Sequence, residues 1–239
     1  MGLTITPLLV GAMPDEPIPG TCTDLTFLMY VITGGPHPIV VDTATYDAAT
    51  VLHRRHGVLV RPPSQEPAAA LAAAGVDPSD VRQVVLTHLH WDHCGNNDLF
   101  PNAEFVVQRE ELRYAVAPAE GGDDLLFYDL LGLGAPAWLA QIERLARVDG
   151  DAAIAAGVRA VLLPGHTPGS QGVVVDTARG PALIAGDTVP TYHHWRERIP
   201  NAVNFDLAAY ERTFRRMEAL DCHVIPSHDP EVIAQGPFG

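Results

Sequence analysis

The stretch "THLHWDHCG", Thr87 to Gly95, sets three histidines and an aspartate directly after the apolar run Gln83–Leu86. Polar groups of that density against a core strand are costly unless they are paired or hold a metal. The fold must therefore give them an occupant. His88, His90 and Asp92 alternate, so in an extended segment they leave on one side, and Trp91 points away from them. His93 begins the turn at Cys94-Gly95-Asn96, from which a second ligand set can be aimed. Imidazole with carboxylate suits zinc, with manganese, iron or cobalt as alternatives. Four candidate ligands in six residues exceed what one ion takes from a single loop. Two metals sharing the loop are expected.

Two metals need further ligands, and three more apolar runs end on them. Val158–Leu163 leads into "PGHTPG" and His166, Ala182–Ala185 into "GDT" and Asp187, and His223–Pro226 into "SHD" and His228. A lone histidine is more often a surface or satisfied core residue, but the joint pattern is that of a site built on strand ends. His223 lies roughly 16 Å from His228 if the strand between them is intact, at about 3.3 Å per residue. It cannot share that metal. Cys94 and Cys222 read as structural, and His37 as a surface residue.

The rest of the chain reads as strands at Leu3–Val10, Leu25–Ile32, Pro38–Asp42, Glu104–Gln108 and Gly172–Asp176. A loop holding Pro14, Pro17, Pro19 and Gly20 separates the first two. Helices are expected at Pro67–Ala74, from about Arg109, at Asp123–Leu131, Ala137–Arg144 and Leu207–Leu220. Thr43–Pro67 is long and irregular, the character of a lid over a pocket. Strands in runs with helices between them suggest two sheets flanked by helices, in a single domain over residues 1–239.

Charge narrows the partners. A formal net charge of −14 with only 15 Lys and Arg disfavours nucleic acid and anionic lipid. The sequence holds no run of eighteen apolar residues to span a membrane, and its start lacks the features of a secretory signal. Cys22, Cys94 and Cys222 are odd in number and far apart, which argues against a disulfide framework. A cytoplasmic protein acting on a small neutral or weakly charged substrate is expected.

The order HxHxDH, a histidine in PGHTPG, an aspartate in GDT and a late histidine resembles the metallo-β-lactamase superfamily over nearly the whole chain. The resemblance implies an αββα sandwich of two mixed β-sheets flanked by helices, with a dinuclear metal site at one edge. Carried over by position, it implies that His88, His90 and His166 hold one zinc. Asp92, His93 and His228 would hold the other, with Asp187 bridging. Flavodiiron proteins place a glutamate where His90 stands, and secreted β-lactamases lack an aspartate at the Asp187 position. Glyoxalase II proteins carry a helical domain after the last ligand, and nucleases an inserted domain.

The blocks "THLHWDHCGNNDLFPNAEFVVQREEL", "PGHTPGSQ" and "SHDPEV" are similar to the N-acyl homoserine lactonase and 4-pyridoxolactonase branch. There the segment after the Asp42 position helps cover the pocket and contributes to dimer contacts, which leaves a homodimer open. The implied reaction is opening of an N-acyl homoserine lactone-like cyclic ester by a metal-bridging hydroxide, since paired metals lower the pKa of bound water. Hydrolysis of a cyclic or aryl amide or carbamate by the same site is the alternative. The chain departs from the branch at Pro190, where a tyrosine is usual, and at Ser170, where many members carry histidine. Tyr192 or its neighbour His193 is expected to steady the developing oxyanion. Asp92 and Asp187 would serve the leaving group's proton, and Trp91 and Met13 are candidate substrate contacts.

Overall fold

The apolar runs of the N-terminal half assemble into a six-stranded sheet. Its strands are β1 (Thr4–Pro17), β2 (Asp24–Thr33), β3 (Ile39–Val41), β4 (Gln83–Val85), β5 (Glu104–Gln108) and β6 (Leu145–Val148), in that spatial order. The first three pair antiparallel and the rest parallel. A second sheet follows from β7 (Ala152–Ala155), β8 (Val158–Leu162), β9 (Gln171–Thr177), β10 (Gly180–Ile184) and β11 (His223–Ile225), with only β10 and β11 parallel. The computed structural model describes residues 2–21, 23–118 and 123–239, and the Cys22 position falls outside them.

Strand alternation builds the layers. Along β2, Phe27, Met29 and Val31 enter one apolar layer while Leu28, Tyr30 and Ile32 enter another. The first layer lies under α2 (Pro67–Ala73) and α4 (Arg109–Val116), through Ala70, Leu71 and Ala115. The second is shared with Val173, Val175 and Ile184 of the other sheet. The far face of that sheet, with Val174, Leu183 and Val224, is covered by Tyr210, Phe214 and Met217 of α7 (Leu207–Leu220). Helix, sheet, sheet and helix thus stack around three apolar layers, the expected αββα sandwich. Each Val, Leu, Ile or Phe removed from water there contributes about 1.5–3 kcal/mol. No helix among the described residues is long and apolar enough to cross a membrane.

The remaining helices are α1 (Ala48–His53), α3 (Trp91–Cys94), α5 (Asp124–Phe127), α6 (Tyr192–Glu197) and α8 (Glu231–Gln235). Three departures from the sequence reading matter for the site. First, β1 runs through Pro14 to Pro17, because it is the sheet's edge strand and edge positions tolerate the missing N–H. Second, Trp91–Cys94 is one helical turn rather than extended chain. An extended segment would send Asp92 and His93 to opposite faces, whereas the turn brings both to one cluster.

Third, Thr43–Pro67 contributes no residue to the pocket lining. It holds α1, bonds to β1 through Val60 and Ala12, and packs behind Trp91. The end of β1 and the start of its connection to β2 line the pocket instead, at Glu16 to Pro19.

Candidate metal centre

Strand ends deliver the candidate ligands. β3 and β4 are parallel, as are β10 and β11, so their C-terminal ends open at one edge of each sheet. His88 and His90 follow β4, His166 follows β8, Asp187 follows β10 and His228 follows β11. The short helix α3 adds Asp92 and His93. Gly186 adopts φ 56°, and a Cβ there would lie 2.8 Å from Thr87 Cβ, so only glycine lets the β10 turn meet the histidine loop.

The seven side chains form two groups, His88–His90–His166 and Asp92–His93–Asp187–His228. Within each group the candidate ligand atoms all lie within 4.8 Å of one another. His166 Nε2 sits 3.2 Å from both His88 Nε2 and His90 Nδ1. Asp187 reaches toward both groups, with His228 Nε2 at 2.9 Å, His93 Nε2 at 3.1 Å and His166 Nε2 at 3.6 Å.

The outward nitrogens show that these donors fit a cation. His166 Nδ1 donates to the Val203 carbonyl (2.7 Å) and His228 Nδ1 to the Thr26 carbonyl (2.6 Å). His93 Nδ1 lies 2.8 Å from Asp42 Oδ2. A carbonyl only accepts, so these tautomers leave the inward Nε2 lone pairs available, the arrangement usual for metal-ligating histidine. Deep in the cluster His93 Nε2 and Asp187 Oδ1 are buried with only each other and His228 Nε2 for company, at 2.9–3.1 Å. Such groups are costly unless something binds them.

Electrostatics divide the groups. Burial pushes the imidazoles of His88, His90 and His166 down, toward the neutral form a metal ligand needs. Burial also opposes protonation of His93 and His228, but Asp187 and Asp92 together, joined by Asp42 at His93, outweigh it and hold both up. Burial would raise Asp187, yet His228 and His93 hold it well below the ordinary carboxylate range.

Asp92, Asp187, His90, His166 and His228 face a cavity of about 300 Å³. Its walls are largely apolar, from Ile18, Leu25, Trp91, Phe127, Pro190 and Val203. Trp91 takes the wall position expected of it, between the stacked His56 ring at 4.1 Å and the edge of Phe27. A helical turn orients it, not strand alternation.

Met13 lies in the core under Gly57, 1% exposed and away from the cavity, so it is not a substrate contact. Tyr192 and His193 also fall outside the cavity lining. The Tyr192 hydroxyl lies 3.0 Å from Gln235 Oε1 of α8, and His193 is exposed. The Thr191 hydroxyl caps α6 at His194 N, and this winds the residues after Pro190 into a helix that turns the phenol away.

His223 lines a separate groove of about 400 Å³ with Thr177, Arg179 and Phe238, which holds no ligand cluster. Asp42, Glu111 and Asn201 stand outside the ligand motifs legible in the sequence. Asp42 accepts from Thr87 N–H and Oγ1 besides pairing with His93. An acid closing a short strand that pairs with the strand before the histidine loop was its only signal.

Comparison with known proteins agrees with this geometry. The chain is 35% identical over 171 residues to the N-acyl homoserine lactonase AttM of Azorhizobium caulinodans, a match covering 68% of this chain and 64% of that protein. The chain therefore spans a little under two thirds of that relative's length. It is 27% identical over 214 residues to an N-acyl homoserine lactonase of a Bacillus species, covering 84% and 79%. The structure of an N-acyl homoserine lactone hydrolase, with the product N-hexanoyl-L-homoserine at its catalytic metal centre, superposes with a TM-score of 0.74 at 22% identity. That match covers 97% of this chain and 95% of the other, and at that identity it speaks to the fold. The metallo-β-lactamase superfamily profile matches residues 28–228, a span that holds all seven clustered side chains. With order, fold and geometry in agreement, this chain belongs to the metallo-β-lactamase superfamily.

Proposed function

We propose that the protein is a dinuclear zinc hydrolase that opens small lactones of the N-acyl homoserine type. One observation carries this reading: seven His and Asp side chains converge, and five of them, His90, Asp92, His166, Asp187 and His228, line the floor of a pocket whose walls are largely apolar. His88, His90 and His166 would hold one zinc and Asp92, His93 and His228 the other, with Asp187 between them. Five imidazoles and two carboxylates suit zinc better than the harder manganese. When bound, such a pair supplies Lewis acidity to a carbonyl and a nucleophilic water at neutral pH.

The chain's own residues do the rest. Trp91, Phe127 and Leu25 offer apolar surface to an acyl substituent, and Glu16 to Pro19 shield the floor from bulk water. No arginine lines the cavity and the chain has no lysine, while Glu16, Asp92 and Asp187 are all there. Asp92, with its side chain only 11% exposed and His228 3.8 Å away, is placed to carry the proton that the departing alkoxide takes up. Asn201 is the one uncharged side-chain amide in the lining.

A panel of N-acyl homoserine lactones, plain lactones, lactams, aryl carbamates and thioesters, assayed with zinc-loaded protein, tests the reading. Lactone opening that a chelator abolishes and zinc restores is expected. Turnover of the amides or carbamates with none of the lactones would overturn it.

A further inference from the structure

We propose that Glu111 is a positioning residue that clamps the two loops of the histidine-only group into one metal site. The inference rests on reading the cluster as a two-metal centre. Glu111 lies in the first turn of α4 and is 0% exposed. Its Oε1 accepts from the Leu89 backbone N–H (2.9 Å) and from the Tyr128 hydroxyl (2.9 Å). Its Oε2 accepts from Thr167 Oγ1 at 2.5 Å.

The placement of these donors is the point. Leu89 stands between His88 and His90, and Thr167 follows His166. Tyr128 sets its ring edge-on to His90, with centroids 4.7 Å apart. Each member of the histidine-only group is thus one residue, or one ring contact, from a donor that the same carboxylate holds. Gly169 keeps the second loop close, since a Cβ there would lie 2.2 Å from Glu111 N.

Charge gives a reason for an acid at this position. A divalent cation held by three neutral imidazoles and only a share of Asp187 keeps most of its charge within its own ligand set. A buried carboxylate in the layer behind, holding the loop backbone rather than an imidazole, supplies the opposite sign, and outer groups that orient ligands bear on metal affinity. The other group brings Asp92 and Asp187 as ligands and takes its support from Asp42.

The test is stepwise zinc binding to the full chain, by competition with a chromogenic chelator. It is run on the wild type, Glu111→Ala, Glu111→Gln and Thr167→Val, and each is repeated with His228→Ala so that one step reports the histidine-only group. Glu111→Ala should weaken one zinc step by about 10–100-fold and leave the other within about threefold. Glu111→Gln should fall between, because its amide oxygen still accepts from Leu89 and Tyr128 while its charge is gone. Thr167→Val, the mildest change, should weaken the same step several-fold.

Equal weakening of both steps, or no change in either, overturns the clamp. Should Glu111→Ala fail to fold, Glu111→Gln and Thr167→Val decide by the same criterion. A wild type binding fewer than two zinc ions would instead overturn the two-metal reading itself.

Discussion

The two ligand groups lie side by side on one set of strand ends, yet they are held in different ways. The histidine-only group has three imidazoles that burial keeps neutral, and its nitrogens meet at 3.2 Å without a carboxylate among them. The mixed group contains its own counter-charges, so Asp187 already pairs with His93 and His228 before any cation arrives. A group with internal ion pairs is partly satisfied without metal. One without them leans on its surroundings, here the backbone that Glu111 fixes and the carbonyl of Val203. Metal removal should therefore loosen the histidine-only loops first.

Asp187 is where that contrast breaks down, because it faces histidines of both groups. Asp187→Ala should lower lactone kcat/KM by at least about 10³-fold, or ~4 kcal/mol. Elemental analysis should show zinc depleted at both positions. Retention of one full equivalent, with the His93–His228 side alone emptied, would separate the groups completely and remove the bridging role.

Asp42→Ala is the next largest effect and the mirror of the Glu111 experiment. The carboxylate holds His93 directly and reaches His88 only through the Thr87 hydroxyl, 3.1 Å from His88 Nδ1. Loss of affinity by about 10–100-fold should fall mainly on the mixed group. A larger loss at the histidine-only group, read by stepwise zinc competition, would show that Thr87 transmits more than Asp42 gives directly.

A smaller effect tests the wall that joins the groups. Trp91 sits in the chain between His90 and Asp92 and is backed by His56, which a buried set of Asp129, Arg54 and Tyr46 fixes. His56→Ala removes a stacked partner worth about 0.5–1.5 kcal/mol. KM for a long-chain lactone should rise about two- to tenfold, with kcat and zinc content unchanged. A fall in zinc content would make the wall part of the metal scaffold rather than of the substrate surface.

Much of this was legible in the sequence because strand ends and ligand motifs coincide. Apolar runs end at Leu86, Leu163, Ala185 and Pro226, and each presents its polar residue within a few positions of the strand. What the sequence hid depended on contacts across the fold. Glu110 and Glu111 are adjacent and chemically alike, yet Glu110 is exposed and Glu111 buried, and only contacts from distant segments, Leu89, Tyr128, Thr167 and Gly169, distinguish them. Met13 belongs to an apolar strand whose buried face no local pattern identifies as core rather than pocket. The strands Leu145–Val148 and Ala152–Ala155 passed unnoticed, being four residues each with mixed exposure. The same limit misplaced the phenol beyond Asp187, since offset along a loop says nothing of a helix that starts inside it.

Tyr192 supplies the smallest expected effect, and the one that isolates the two groups from everything outside them. Its ring packs in the layer between the sheets, its backbone N–H donates to Asp229 Oδ2, and its hydroxyl meets Gln235. Burial pushes the phenol's pKa up, so it stays protonated as a structural donor at neutral pH. Pro190, three residues after Asp187, occupies the lining and has no proton to give. A donor aimed at a developing oxyanion is worth about 10²-fold or more in kcat, and one hydrogen bond to Gln235 only about 0.5–1.5 kcal/mol of stability. Tyr192→Phe should therefore keep kcat and KM within about twofold and lower Tm by a few degrees. A hundredfold fall in kcat with both zinc ions retained would mean that α6 rearranges to bring the phenol over the metals. Carbonyl assistance would then come from outside the two groups after all.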